Sequence, residues 1–245
     1  YKGSASDFTD DEFFTTIRKA YKMDEILTST CEILDKYDKN NDIMFAVDEW
    51  GCWLDVEEGT NPGFLYQQNT MRDALVASVT FDIFNSHSDR VKIACIAQMV
   101  NVLQAVCITD KEKMILTPTY HVFNMYKNHQ EALPLITECE NIPILSVDSE
   151  EIKAISSSIS ESEDGSINIS LTNISLSDDY EVEISINGMN KSDISASILS
   201  AEMDDYNTFD NPDNVCIKDY SGYTLINGTI TVKLPKTSIV NIMVR

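Results

Sequence analysis

A short apolar run, Phe45-Ala46-Val47, ends abruptly in Asp48, Glu49 and Trp50. Carboxylates are kept out of protein cores unless they are paired or functional. An apolar strand with acids at its C-terminal end is how a (β/α)8 barrel delivers a catalytic group. The competing reading is a strand that simply ends in a solvated loop. Other chemistry is sparse. Cys31, Cys52, Cys95, Cys107, Cys139 and Cys216 are scattered, form no CxxC pair and mostly have apolar neighbours. They read as free thiols of a reducing compartment. His87, His121 and His129 show no ligand spacing with acids or cysteines. We expect neither a metal site nor a cofactor.

The elements that would position these acids fall in two halves. Up to about residue 130 the chain is helix-rich and poor in glycine. Asp10 or Asp11 opens a helix with acids in its first turn. Phe13, Ile17, Ala20, Leu27, Cys31 and Leu34 recur at helical spacing, so one stripe packs inward. After a polar turn at Asp38 to Asn41, Ile43 to Val47 reads as a buried strand. An irregular loop from Gly51 to Gly63 carries Trp53, Asp55, Glu57 and Glu58. A second helix is expected from about Leu65 to Phe84, with Leu75, Val79 and Ile83 on its apolar face. Val91 to Ile96 is a second buried strand, leading to Gln98 and Asn101, then to a loop with Asp110-Lys111-Glu112-Lys113. Thr117-Pro118 opens a last helix running to about His129. Alternating helix and strand implies a parallel sheet. Two strands are too few to close a barrel.

Beyond about Pro134 the period changes from helical to twofold. Ile167 to Leu171, Val182 to Ile186 and Ile230 to Leu234 alternate apolar and polar residues, which predicts half-exposed antiparallel strands. Asp164-Gly165, Asn187-Gly188 and Asn227-Gly228 are turn signals between strands. Short strands with such turns imply a β-sandwich or barrel. Most of the acidic excess lies in this half, interleaved with serines on faces expected to be solvated. Asn168, Asn173 and Asn227 each open a glycosylation-type triplet, a pattern frequent by chance.

With 245 residues the chain is long enough for one large or two ordinary domains. Its hydrophobic share of 43% and charged share of 24% are those of a globular protein. Its 18 Lys+Arg against 40 Asp+Glu give a net charge of -22, which argues against nucleic acid and anionic membrane as partners. No apolar run reaches the roughly 18 residues of a membrane span. No signal-peptide pattern opens the sequence. Tyr1 is not a start methionine, so an upstream portion is expected.

Longer motifs carry a resemblance. Val47-Asp48-Glu49-Trp50-Gly51 is followed by the run from Glu58-Gly59-Thr60-Asn61-Pro62-Gly63 through Asn69-Thr70-Met71-Arg72-Asp73-Ala74-Leu75-Val76-Ala77. Then come Val91 to Gln104, with Ala97-Gln98-Met99-Val100-Asn101 at its centre, and Leu116-Thr117-Pro118-Thr119-Tyr120-His121-Val122-Phe123. Together they resemble the α-L-arabinofuranosidases of glycoside hydrolase family 51. Asn207-Thr208-Phe209-Asp210-Asn211-Pro212 is similar to a segment near that family's C-terminus. The resemblance spans nearly the whole chain and is weakest in the sandwich. It implies α/β plus all-β architecture: the C-terminal part of a (β/α)8 TIM barrel over residues 1–130, then an antiparallel, jelly-roll-like β-sandwich over 131–245. The first part would hold strands seven and eight with their helices.

The resemblance also implies a retaining mechanism. One carboxylate attacks the anomeric carbon and a second, about 5–5.5 Å away, protonates the leaving oxygen. Glu49 matches the family nucleophile, a role that needs its ionised form. The family's acid/base glutamate stands in an Asn-Glu pair on strand four, and no Asn-Glu pair occurs here. Gln98 matches a glutamine that hydrogen-bonds the arabinose; a core or loop glutamine is the plainer reading. Trp53 matches an aromatic near the sugar, and its flat face suits stacking on a ring. Trp50 is expected to pack under the site, and Asp48 to support the strand end or the neighbours of Glu49. Where Gly51 stands, family members often have Asn.

Two function classes follow. One is part of an exo-acting α-L-arabinofuranosidase that removes terminal arabinofuranosyl residues from arabinan, arabinoxylan or arabino-oligosaccharides. Its remaining barrel would be the missing N-terminal portion or a second chain, and the intact protein would be a homo-oligomer, as family members often are. The other is a non-catalytic carbohydrate-binding or structural fragment. Free cysteines point to the cytoplasm; export remains the alternative if a leader lies upstream.

Overall fold

The computed structural model describes residues 3–147, 150–188 and 192–245. The first helix, α1 (Asp10–Tyr37), starts where its capping residues put it. The Thr9 side chain accepts from the Glu12 N–H at 3.3 Å, and Glu12 accepts in return from the Thr9 N–H at 2.8 Å. The expected stripe is real: Phe13, Ile17 and Leu27 are buried.

Strand β1 (Phe45–Trp50) pairs in parallel with β2 (Val91–Ile96), and these two form a sheet of their own. The sequence places the first strand at Ile43–Val47; pairing instead starts at Phe45. The backbone of Ile43 is already engaged by side chains. Its N–H donates to Asp38 at 2.8 Å and its carbonyl accepts from Arg90 at 2.9 Å. The two strands are not buried on both faces as expected. Phe45, Val47, Trp50, Ala94 and Ile96 pack on the helices, while Ala46, Ile93 and Cys95 lie exposed on the other side.

Helix α2 (Met71–Ser86) begins six residues later than expected. Leu65 is left-handed at φ 54° and closes a short 3-10 turn, Pro62–Phe64. The helix start is set by Thr70 and Asp73: the Asp73 carboxylate accepts from the Thr70 N–H at 2.9 Å and from its hydroxyl at 3.2 Å. The single apolar face anticipated for α2 is also corrected, because the helix is buried around almost its whole circumference. It lies between α1, β2 and α3 (Pro118–Tyr126) on one side and the sandwich on the other. Between β2 and α3, the expected loop around Asp110 is a hairpin of β3 (Cys107–Asp110) and β4 (Lys113–Leu116).

The second half is antiparallel. Its strands are β5 (Leu133–Pro134), β6 (Ile144–Val147), β7 (Glu150–Lys153), β8 (Ile155–Glu161), β9 (Ile167–Asn173), β10 (Tyr180–Ser185), β11 (Ile194–Ser200), β12 (Lys218–Asp219), β13 (Tyr223–Ile226), β14 (Thr229–Leu234) and β15 (Ser238–Val244). A six-stranded sheet, ordered β12-β11-β15-β9-β8-β5, faces a three-stranded sheet, β10-β14-β13; β6 and β7 form a separate hairpin. Ile169 and Leu171 of β9, Ile230 and Val232 of β14, and Val240 and Ile242 of β15 fill the space between the sheets. Asn227 and Gly228, at φ 51° and 84°, make the tight turn of the β13–β14 hairpin.

One expectation fails in an informative way. Strand β9 is buried along its entire length, not half-exposed. Its apolar residues face the other sheet, and its polar residues, Asn168, Ser170 and Thr172, lie under the helices of the first half. On β8, Ser158 and Ser160 are buried in the same way, and Ser156 bonds to Asp82 of α2. Asn168 and Asn173 are buried with their amides hydrogen-bonded, so neither can accept a glycan in the folded chain.

Candidate active site

The end of β1 is irregular in a way that concerns its acids. Val47 pairs with Ala94 and Trp50 with Ile96, so β1 spends one residue more than β2 over this stretch. A bulge of this kind re-aims side chains and is frequent beside active sites. Here it lets Phe45, Val47 and Trp50 all join the core under the helices. Asp48 and Glu49, by contrast, are exposed.

Trp50 anchors the strand end from below. It is 5% exposed, packs edge-on against Phe81 and Phe84 of α2, and stacks with Phe123 of α3 at 6.1 Å. This packing puts Trp50 beneath the end of β1, on the helix side of the sheet. Because β1 and β2 are parallel neighbours, their C-terminal ends share one edge. Glu49 stands on that edge, and Gln98 follows β2 just beyond it, exposed. The two strands are tied there by the Ala97 N–H, which donates to the Trp50 carbonyl at 2.7 Å. Trp53 lies in the loop leaving β1 and is 49% exposed. The structure thus gathers Asp48, Glu49, Trp53 and Gln98 around one end of the parallel pair.

The walls come from loops. The residues after β1 run back along Tyr66, whose carbonyl accepts from the Glu57 N–H at 2.8 Å. Burial, with the carboxylates of Glu57 and Asp110 nearby, pushes the Tyr66 phenol above its ordinary range. Asn207, in the segment singled out in the sequence, reaches back from the sandwich. Its amide donates to the Leu116 carbonyl at 2.8 Å and the Val215 carbonyl at 2.9 Å. Neighbouring residues hold the start of α2: the Met71 and Arg72 N–H groups donate to the Asp205 and Met203 carbonyls, both at 2.9 Å.

Two residues that sequence reasoning gave no role hold the loop behind Glu49. Gln67 and Gln104 are fully buried. The Gln104 Oε1 accepts from the Cys52 N–H at 2.6 Å, and its Nε2 donates to the Asp73 carbonyl at 2.9 Å. Gln67 accepts from the Leu54 N–H at 2.8 Å and donates to the Cys52 carbonyl at 3.2 Å. No spacing rule marks such residues. A glutamine between apolar neighbours, as in Leu103-Gln104-Ala105, was the one available signal.

Comparison with known proteins places this geometry. The protein-family model described as the α-L-arabinofuranosidase C-terminal domain matches residues 48–238. An "Intracellular exo-alpha-L-arabinofuranosidase" of Bacteroides ovatus is 42% identical over 244 residues, which is 98% of this chain and 47% of that protein. The crystal structure of the GH51 arabinofuranosidase from Xanthomonas axonopodis pv. citri is 40% identical. It superposes with a TM-score of 0.96, over 100% of this chain and 50% of that one. The α-L-arabinofuranosidase from Thermotoga maritima, solved with arabinose, has a TM-score of 0.80 at 22% identity, over 96% of this chain and 50% of that one, and supports the fold alone. The chain spans about half the length of these relatives. Its fold is the C-terminal part of a (β/α)8 barrel followed by an antiparallel β-sandwich. The chain belongs to the α-L-arabinofuranosidase C-terminal domain family, within glycoside hydrolase family 51.

Proposed function

We propose that this chain forms part of a retaining, exo-acting α-L-arabinofuranosidase in which Glu49 is the nucleophile. The observation that carries the reading is the exposed Glu49 at the bulged C-terminal end of β1, on the edge that β2 extends to Gln98. Barrel enzymes keep their chemistry at that end of their strands. In this reading Gln98 hydrogen-bonds the arabinose, Trp53 stacks on a sugar ring, Asp48 supports the strand end and Trp50 underlies it. The acid/base glutamate comes from outside this chain, in the remaining portion of the barrel. Substrates are arabinofuranosyl-terminated oligo- or polysaccharides such as arabinan or arabinoxylan. The Bacteroides ovatus relative is an intracellular enzyme by name, which supports an intracellular site of action. Residues 1–130 supply barrel and 131–245 sandwich, and the intact protein is a homo-oligomer.

The test is kinetic. The chain is joined to, or mixed with, the N-terminal portion and assayed on an aryl α-L-arabinofuranoside. Glu49→Ala should lower turnover by at least about 10³-fold, as loss of a nucleophile does, and azide should restore part of it by attacking in place of the carboxylate. Near-normal activity of Glu49→Ala would remove the assignment.

A further inference from the structure

Four backbone groups between Trp50 and Leu54, on the chain leaving Glu49, are held by partners from elsewhere in the fold. The Trp50 carbonyl is held by Ala97. The Cys52 N–H and carbonyl are held by two different side-chain amides, those of Gln104 and Gln67. The Leu54 N–H is held by Gln67 again. Both glutamines are fully buried, where a lost amide partner is costly. Gln104 also donates to the Asp73 carbonyl, in the first turn of α2, so one side chain joins the strand end to the helix beneath it.

Two further observations single out Gln104. Its backbone is left-handed at φ 39°, a conformation that costs a non-glycine residue energy and persists where the surroundings over-determine it. Its side chain also fills the space beside Gly51. A Cβ built on Gly51 would meet the Gln104 Oε1 at 3.0 Å and its Cβ at 3.4 Å, and Gly51 itself sits at φ 135°. Gly51 and Gln104 interlock, two residues after Glu49.

Resting on the reading of Glu49 as nucleophile, we propose that Gln104, assisted by Gln67, is a positioning residue for Glu49. By locking Cys52 to α2 it fixes the attack geometry of the carboxylate and thereby kcat. Gln104 does not touch the sugar. A displacement of about 1 Å at a reacting group can cost on the order of 10²-fold in rate.

The whole enzyme, this chain with its N-terminal portion, is the material for the test. Gln104→Met keeps the volume and removes both amide bonds. It should lower kcat by about 10- to 100-fold with KM changed less than threefold, and slow release of the first equivalent of aryl alcohol to match. Amide exchange at Cys52 should accelerate at least tenfold, while the α2 amides Leu75 to Val79 keep their protection. Gln67→Met should do the same more weakly, through Leu54. General loss of protection, with kcat lowered only by the lost fraction of folded enzyme and restored once rates are expressed per folded molecule, would make Gln104 a stability residue only and overturn the proposal. Unchanged kcat alongside an inactive Glu49→Ala would also overturn it, leaving the nucleophile intact. An active Glu49→Ala would instead remove the reading on which the proposal rests; the exchange measurement would still report whether Gln104 holds Cys52.

Discussion

At the scale of single residues, Gly51 shows how much a missing side chain can matter. The chain turns away from β1 there through a φ of 135°, which an L side chain rarely adopts, and the space a Cβ would need is occupied by Gln104. Gly51→Ala should therefore destabilise the chain by about 1–3 kcal/mol. A shift of the urea midpoint without a change in m would register it. Gln104→Ala in the same chain should relieve the steric part, so the double variant should cost less than the sum of the two single ones. Strict additivity would mean that the residues do not interlock. Arg90 plays a comparable part at the other end of β1. It donates to Asp35 at 2.6 Å and to Asp38 at 2.5 Å, and so fastens the end of α1 to the entrance of the strand. The Ile43 N–H together with Arg90 holds the Asp38 carboxyl below its ordinary range.

At the scale of elements, the seam between α2, α3 and the six-stranded sheet is polar, and this makes it sensitive to pH. Asp82 of α2 accepts from Ser156 and Ser158 of β8, both at 2.6 Å, and from the Tyr126 hydroxyl at 2.8 Å. Burial nevertheless pushes its carboxyl up to about 7. His129, bonded to Ser160 at 2.7 Å and Ser170 at 2.8 Å, is pushed by burial down to about 4. The signs oppose each other. The folded chain holds a proton on Asp82 that the unfolded chain releases near pH 4, so this contribution is full below pH 4 and lost as pH rises toward 7. Unfolded His129 takes up a proton near 6.5 while the folded one refuses it, so that contribution is full above 6.5 and lost as pH falls toward 4. Asp82→Asn should therefore leave a stability that rises with pH between about 4 and 6.5, and His129→Gln one that falls over the same window. Urea midpoints at four pH values across that window would decide. Parallel profiles for the two variants would show that neither group carries the dependence.

At the scale of the whole molecule, the sandwich closes on its own core but the parallel pair does not. Ile93, Ile43 and Met44 are 56%, 52% and 61% exposed. Among the described residues each strand of the pair also has an unpaired edge, an arrangement that invites a partner. Parallel strands are stable when both faces are covered. On the proposed reading, which puts the acid/base group outside this chain, the chain alone should show negligible arabinofuranosidase activity, since loss of such a group typically costs 10²–10⁴-fold. Amides of Phe45–Val47 and Ile93–Ile96 should exchange quickly in the lone chain and become protected when the N-terminal portion is added. The β9 and β15 amides should be protected throughout. A compact monomer in scattering, with strong protection at Phe45–Val47 and Ile93–Ile96 before any addition, would refute the incomplete barrel.

Periodicity and motif spacing sufficed for the helical stripe of α1, the parallel pair, the twofold alternation of the sandwich and the acids at the end of β1. Each of these is written in local order along the chain. What covers each face is not. Ser158 and Ser160 of β8 and the polar side of β9 look solvated in sequence because alternation records polarity, not what lies opposite; the helical half buries them in a network of hydrogen bonds. Start signals in Thr70 and Asp73 were local, yet the length and all-round burial of α2 depend on the sheet it meets. Gln67 and Gln104 are ordinary glutamines until the fold brings Cys52, Leu54 and Asp73 to them. Local covalent order carries the period of an element and the chemistry of its residues. Satisfaction of a buried polar group is a property of the groups that arrive from elsewhere in the chain, and only the tertiary structure decides it.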